Sequence, residues 1–413
     1  MKKNYESISY CRICDSDDIE LILNLGGQPP ANSLYQSQEN MPLTVPLRLM
    51  YCNECKTVQL GEDVDPEYLF GSYLWITGTS STAKNYSKSF VQESLLRVKK
   101  EHHNLFIVEI ASNDGTFLDQ FQKYGCKVLG IDPATNIAKL ASDNGIPTLN
   151  DYFNLEVSKE ICKKYTKADL IFARNVIPHV KEIHSVISGI NNLLSEEGIG
   201  IIEFHNAGLL LDELHYDYIY HEHLFYYTLT SIEALLKMHD LNIFDISNSP
   251  ISGGSWVVYF AKKSRDKTKE LIKAQASDLE NQNNVKESWF DFANKAKEHA
   301  EKLTNLVLNE VENKGKIVAY GASARSSTLL NFCGIDSSHI SVIIDKNPLK
   351  EGLYTAGSNI PIVSYDIGLE NIINSDVVLL LAWNFKDEII NDLRRDGFNG
   401  KFILPLPGDP HYL

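Results

Sequence analysis

Short apolar runs alternate twice with longer amphipathic stretches, and no other feature constrains the fold as tightly. The first series is LFIVEI (105–110), KVLGID (127–132), ADLIFA (168–173) and GIGIIEF (198–204). The second is KIVAYGAS (316–323), ISVIID (340–345), DVVLLLAW (376–383) and KFILPLP (401–407). Apolar runs without strict alternation are strands buried on both faces, and helical stretches between them are crossovers, so each series predicts a parallel α/β sheet. Between the two series, residues 263–313 are highly charged and almost without Gly or Pro. There Phe292, Ala296, Leu303, Leu306 and Val307 fit one helical stripe, predicting a helical connector whose charges are solvated. The first 80 residues are turn-rich and hold four of the seven cysteines. The expected organisation is therefore a small module at 1–80, an α/β domain at 81–262, a connector at 263–313 and a second, smaller α/β domain at 314–413. A chain of 413 residues is long enough for two or three cores.

Charge and hydropathy exclude several partner classes. A net charge of −15 opposes nucleic acid and anionic membranes, because phosphate attracts basic surfaces. No apolar run reaches membrane-spanning length, and the first residues, MKKNYESISYCRIC, lack the apolar segment of a secretion signal. A cytoplasmic location is expected. An odd number of cysteines in such a chain points to thiols or metal ligands over a disulfide framework.

The cysteines come as CRIC, with Cys11 and Cys14, and CNEC, with Cys52 and Cys55. Two C-x-x-C turns present four thiolates, the ligand set of a closed tetrahedral zinc site with a structural role. A redox pair or coincidence are the alternatives. Cys126, Cys162 and Cys333 sit in apolar contexts and read as core.

The segment LFIVEIASNDGTFLDQF is strand, small-residue loop, helix. Ala111, Asn113, Asp114 and Gly115 form a loop that lets a ligand approach the backbone, after Glu109 at the strand end. The next strand ends in GIDP, placing Asp132 and Pro133 where an acid can hold a ribose diol. The loop has one glycine where a dinucleotide fingerprint has three, which argues against NAD and suits S-adenosylmethionine, a cofactor with a carboxylate and no phosphate. Phe153, in NDYFN, is placed to stack on adenine, and Asn175 and His179, in ARNVIPHV, lie at the carboxyl edge of the following strand.

YDYIYHEHLFYY (216–227) packs two histidines around a carboxylate among tyrosines. His221 and His223 are two apart and on a helix would face different ways, so a metal reading needs a third ligand from elsewhere. His221 reads as packing, and Tyr216, Tyr218, Tyr226 and Tyr227 as core or pocket wall.

In order along the chain, the paired C-x-x-C turns, EIASNDGTFL, GIDPATNIAKLA, ARNVIPHV, YDYIYHEHLFYYTLTSIEALL with ISGGSWVVYFAKK, VAYGASARSSTLLNFCGI and LLAWNFKDEI resemble the C-methyltransferases of nucleotide-linked keto-deoxysugars. The resemblance spans nearly the whole chain. It implies an N-terminal zinc module, a class I S-adenosylmethionine-dependent methyltransferase domain and a C-terminal Rossmann-like domain that helps hold the nucleotide-sugar. It assigns the base to His223, with Tyr220, Glu222 and His179 around it. On this reading the base removes a hydrogen next to a ketone, Glu222 orients or charge-balances a histidine, and the methyl goes to carbon through an enolate. It also implies an unusual cell-surface or secondary-metabolite sugar as the destination. Methylation of a sugar hydroxyl and a non-catalytic, zinc-stapled nucleotide-sugar-binding protein are the alternatives.

Three positions depart from the family pattern: Ala111 for Gly, Arg325-Ser326 for Lys-Gly, and Trp75 for a second Tyr after Tyr73. In the C-terminal domain, GKIVAYGASARSSTLLNF offers a helix N-terminus and Arg325 to a diphosphate, and Asp345 stands at a ribose-binding position, which keeps a second dinucleotide cofactor as a rival. The nucleotide, the sugar and the choice between monomer and dimer are not legible.

Overall fold

The computed structural model describes residues 4–37, 42–70, 76–251 and 254–413; Tyr73 and Trp75 lie outside the described residues.

The first series forms a seven-stranded sheet. Its parallel part runs Thr148–Leu149, Lys127–Ile131, Phe106–Ile110, Ala168–Arg174, Leu194–His205. Asn242–Ser249 and Ser255–Ala261 complete it, the latter inserted antiparallel beside Leu194–His205. Successive side chains of Phe106–Ile110 alternate between two cores. Phe106, Val108 and Ile110 pack with Val186, Ile187 and Ile190 of the helix Ile183–Leu193. Ile107 packs with Phe90 and Phe117 from the helices Ser81–Leu96 and Thr116–Lys123. Burial on both faces is why the strands read as continuous apolar runs. Strand order reverses between Phe106–Ile110 and Ala168–Arg174, so the crevice at their carboxyl ends is the ligand position of such a sheet.

The second series forms a six-stranded sheet in the order Ile362–Ser364, Ile340–Asp345, Ile317–Tyr320, Val377–Leu380, Lys401–Leu404, His411–Tyr412, parallel except for the last strand. Its order reverses at the same place, beside its first strand.

The N-terminal residues build an antiparallel sheet from Ile19–Gln28, Val45–Cys52 and Val58–Leu60. Its fourth strand is borrowed: Phe225 and Tyr226 pair with Gln59 and Val58. The connector is two helices, Lys269–Glu280 and Lys286–Lys314. Its charges face solvent, with Asp291, Lys295, Lys297, Glu298, Glu301 and Lys302 exposed, while its apolar stripe faces inward. Phe292, Ala296, Leu303 and Val307 are fully buried, and share one core with Leu23, Leu49 and Leu60 of the N-terminal sheet and Val318, Ile343 and Phe402 of the C-terminal sheet. Among the described residues, no helix is long and apolar enough to cross a membrane.

Candidate functional site

The four N-terminal cysteines converge. Cys11 Sγ lies 3.5 Å from Cys55 Sγ, Cys14 Sγ lies 3.5 Å from Cys52 Sγ, and all four sulfurs are within 4.8 Å of one another. Tetrahedral zinc with Zn–S bonds of about 2.3 Å requires sulfurs about 3.8 Å apart, so the donor set fits that ion. Both turns close alike: Asp15 N donates to the Cys11 carbonyl and Lys56 N to the Cys52 carbonyl, with Asp15 and Lys56 at φ 58° and 64°. Between the first two cysteines, Arg12 is buried and pairs with Asp63, and it donates to the carbonyls of Leu60 (2.6 Å) and Glu62 (3.1 Å). The first pair of thiols is thus tied to the strand that receives Phe225–Tyr226.

The loop Ala111–Gly115 sits at the crevice of the seven-stranded sheet. Ala111, Asn113 and Gly115 all have positive φ, at 54°, 50° and 79°. At Gly115 a Cβ would also come within 2.8 Å of Ile146, so the glycine is required twice over. Asp132, buried at the end of the next strand, accepts from the backbone N–H of Asn113 (2.9 Å) and Ala134 (3.0 Å). Asn150 Nδ2 donates to the carbonyls of Asp132 and Pro133, fixing the turn between them. The side chains of Asn113 and Asp114 are engaged by the segment that follows Trp75: they accept from the backbone N–H of Thr77 and Gly78, each at 2.9 Å. Asn175, at φ 50°, donates to Glu203 Oε1 (3.2 Å), which Arg174 Nε pairs through Oε2 (3.0 Å).

Glu109 is buried with Oε2 lacking a hydrogen-bond partner, and burial holds its carboxyl well above the usual range. A buried acceptor without a partner calls for a donor, and the α-ammonium of S-adenosylmethionine is one; with Asp132 for the ribose, the residues present fit that cofactor. Glu109→Gln is expected to weaken S-adenosylmethionine binding about 10- to 100-fold by calorimetry, the worth of one charged hydrogen bond, while raising the melting temperature of the cofactor-free chain. Equal affinity in the two proteins would remove Glu109 from the cofactor site.

One expectation in this region is corrected. Phe153, expected to stack on adenine, is 7% exposed and packs in the core with Val157 and Ile187, its ring against Gly189 of the covering helix. The exposed ring is its neighbour Tyr152, which lies near enough to Asp132 to feel its charge.

The histidines of the tyrosine-rich stretch divide. His221 is buried with Nε2 3.1 Å from the Pro46 carbonyl, in the N-terminal sheet. His223 Nδ1 lies 3.0 Å from the Tyr218 carbonyl. A carbonyl only accepts, so Nδ1 carries the hydrogen and Nε2 the free lone pair. The His223 ring lies 4.0 Å from the ring of Tyr220, 4.3 Å from Tyr218 and 4.8 Å from His179. His179 follows the strand Ala168–Arg174, so this cluster stands over the same sheet edge as the cofactor loop. Desolvation pushes His179 and His221 down to about 4 and His223 well below its ordinary value, the last helped by the neighbouring His179. All three are neutral at pH 7. Among the described residues only the four cysteines form a group able to hold a metal.

Glu222 does not balance a histidine charge. Its Oε1 accepts from Asn32 Nδ2 at 2.5 Å, across 190 residues of sequence, and burial pushes its carboxyl up to about 7. Asn32 carries no sequence signal. A carboxyl whose folded value is raised contributes stability that is complete below about pH 4 and lost as the pH rises to about 7. Glu222→Gln keeps the acceptor for Asn32 and does not ionise. It should therefore gain stability over the parent as the pH rises from 5 to 8, by about 3 kcal/mol at most. Thermal melts at both pH values check this, and a pH-independent difference would contradict it.

A small cavity lined by Asp63, Val64, Leu69, His179, Lys181 and Glu222 lies beside this cluster. In the C-terminal sheet, Arg325 is not presented to an outside diphosphate: its guanidinium is bidentate on Asp217, at 3.0 and 2.8 Å. Asp345 repeats the arrangement of Asp132, accepting from Ala322 N and Asn347 N at 2.8 Å each, and also pairs with Lys350 (3.2 Å).

Comparison with known proteins gives a consistent picture. Residues 11–70 match the family described as "Putative zinc binding domain", 86–246 match "Methyltransferase domain" and 250–407 match "C-methyltransferase C-terminal domain". The chain is 30% identical over 405 residues to the C-methyltransferase NovU of Streptomyces niveus, covering 97% of this chain and 96% of the relative. Among solved structures, it is similar to magnesium protoporphyrin IX methyltransferase from Synechocystis PCC 6803 with bound SAM (12% identity, 44% of this chain, 80% of that one, TM-score 0.34). It is also similar to the PH0226 protein from Pyrococcus horikoshii OT3 (15% identity, 48% and 96%, TM-score 0.37). At these scores the structural likenesses carry no functional weight.

Proposed function

The chain belongs to the S-adenosylmethionine-dependent C-methyltransferase family, and from that premise we propose that its acceptor is the carbon beside the ketone of a nucleotide-linked keto-sugar, with His223 as the base. The observation that carries this reading is the state of His223: buried, neutral, and with its lone pair confined to Nε2 by the Tyr218 carbonyl. The ordered series of motifs along the chain supports the sugar nucleotide.

S-adenosylmethionine, when bound, supplies an electrophilic methyl group. The protein's own work is to make the acceptor carbon nucleophilic. His223 Nε2 takes the hydrogen next to the ketone, and as the ring becomes cationic its Nδ1–H bond to the Tyr218 carbonyl strengthens. Tyr220 and His179, packed against the His223 ring, stand where they can donate to the keto oxygen as it gains enolate charge. The surrounding burial keeps water from the enolate and strengthens each of these contacts. Glu222, held by Asn32, lines a small cavity beside His179 and His221.

The test is a panel of nucleotide-linked keto-sugars incubated with the full chain and S-adenosylmethionine in deuterated buffer, read by mass spectrometry and NMR. The expected product carries one new carbon-bound methyl beside the ketone. A methyl on oxygen, or equal transfer to analogues lacking the enolisable hydrogen, would overturn the reading.

A further inference from the structure

The stretch that carries His223 is fastened to the C-terminal half of the chain at four consecutive residues. Tyr216 Oη lies 2.9 Å from His299 Nδ1, on the long connector helix. Asp217, 1% exposed, accepts from Arg325 Nε (3.0 Å), Arg325 Nη2 (2.8 Å) and Trp383 Nε1 (2.8 Å). The Arg325 guanidinium also lies 5.5 Å from the Tyr218 ring centre and 4.4 Å from that of Trp383. The Ile219 carbonyl accepts from Thr328 Oγ1 at 2.7 Å.

The place of this contact in the C-terminal sheet matters. Arg325 and Thr328 lie on the helix Ala324–Cys333, which follows the strand Ile317–Tyr320, and Trp383 follows the strand Val377–Leu380. These are the two strands between which the order of that sheet reverses. The crevice that holds a ligand in an open α/β sheet here holds the Asp217 carboxylate, an internal anion. Asp217 is next to Tyr218, whose carbonyl sets the His223 tautomer. The backbone around it is irregular: Leu214 has φ 60° and the only local order is the single turn Tyr216–Tyr218. Within the stretch, the peptide that bears that carbonyl is held by short-range bonds of this turn, Tyr218 N to the His215 carbonyl (3.0 Å) and Ile219 N to the Tyr216 carbonyl (3.1 Å), and the turn as a whole is anchored from outside by the contacts to the C-terminal half. On the far side of His223, the stretch is bound to the N-terminal sheet through His221 and the Phe225–Tyr226 pairing.

We propose that the C-terminal Rossmann-like sheet serves as a positioning element for the base: Arg325 and Trp383 clamp Asp217, which fixes the Tyr218 carbonyl and through it the Nδ1–H tautomer and the aim of His223. This rests on the reading of His223 as the base. Asp217, Arg325 and Trp383 are positioning residues, acting through the backbone of the catalytic stretch.

The test uses the full-length, zinc-loaded chain with 15N-labelled histidine, the His223 signals being assigned by their loss in His223→Gln. In the parent protein His223 is expected entirely as the Nδ1–H tautomer. Asp217→Asn should let the Nε2–H tautomer appear and lower kcat for methyl transfer about 10- to 100-fold, with KM for S-adenosylmethionine unchanged. Trp383→Phe removes one of the three bonds and should move both quantities the same way by less. Arg325→Lys should retain more activity than Arg325→Gln. If Asp217→Asn does not fold, Trp383→Phe decides. A folded, zinc-retaining variant in which His223 keeps its tautomer overturns the proposal, whether or not kcat falls, because a merely structural anchor would leave the imidazole alone. Failure of the underlying reading is distinct: His223→Ala would then transfer methyl normally, while the tautomer change in Asp217→Asn would still be observed.

Discussion

Replacing Cys52 with serine is expected to abolish methyl transfer, although the cysteines take no part in the chemistry. Four-thiolate zinc contributes about 10–16 kcal/mol to the folding of small zinc modules, comparable to the whole stability of a domain at about 5–15 kcal/mol. Cys52 ends the strand Val45–Cys52, which pairs with Val58–Leu60. That strand pairs in turn with Phe225–Tyr226, and Leu60 N donates to the Leu224 carbonyl at 2.9 Å, one residue from His223. Loss of the ion therefore propagates to His223 through two strand pairings. The Cys52→Ser protein should contain less than one zinc per chain, melt at lower temperature and show no turnover. Its affinity for S-adenosylmethionine should fall less, because the loop at Ala111–Gly115 belongs to the seven-stranded sheet, one of whose two cores contains no residue of the zinc module. Metal analysis, melting curves and a methyl-transfer assay read these together. A zinc-free variant with full turnover would show that the module does not support the catalytic stretch.

His223→Ala should lower kcat by about 100- to 10,000-fold, the usual contribution of a positioned base, and leave S-adenosylmethionine binding intact. Deuterium exchange next to the acceptor ketone should vanish with it, since only the base labilises that hydrogen. Retained exchange in a folded His223→Ala protein would assign the base elsewhere, with His179 the first candidate, 4.8 Å away ring to ring. The pH dependence has a definite sign. His223 is held well below its ordinary value by burial and the neighbouring His179, so the acid limb of kcat/KM should lie below the usual histidine range. The same depression, shared by His179, His215 and His221, makes stability fall as the pH drops through and below about 6.5, where the unfolded chain takes up protons that these buried rings refuse.

What the sequence by itself determined is what each residue or short segment records about its own environment. Strands buried on both faces appear as apolar runs, and so both α/β sheets were legible. Four thiols in two C-x-x-C turns record a ligand set, and the small residues of Ala111–Gly115 record a loop that a ligand can approach, whereas the positive φ of Ala111 and Asn113 was visible only in the structure. The stripe Phe292–Val307 announced a helix, though its charged composition hid that the helix is shared by two sheets. Tertiary structure decided which of these parts touch. Glu222 meets Asn32 across 190 residues, and Asp217 meets Arg325 and Trp383 across 108 and 166. The fourth strand of the zinc module comes from residues 225–226. Adjacent aromatics such as Tyr152 and Phe153 differ in direction, not composition, so only the packing under Gly189 shows which one is buried. Local patterns report burial and backbone preference one segment at a time. The partner of a buried charge is set by how separate sheets dock, and that information is spread over the whole chain.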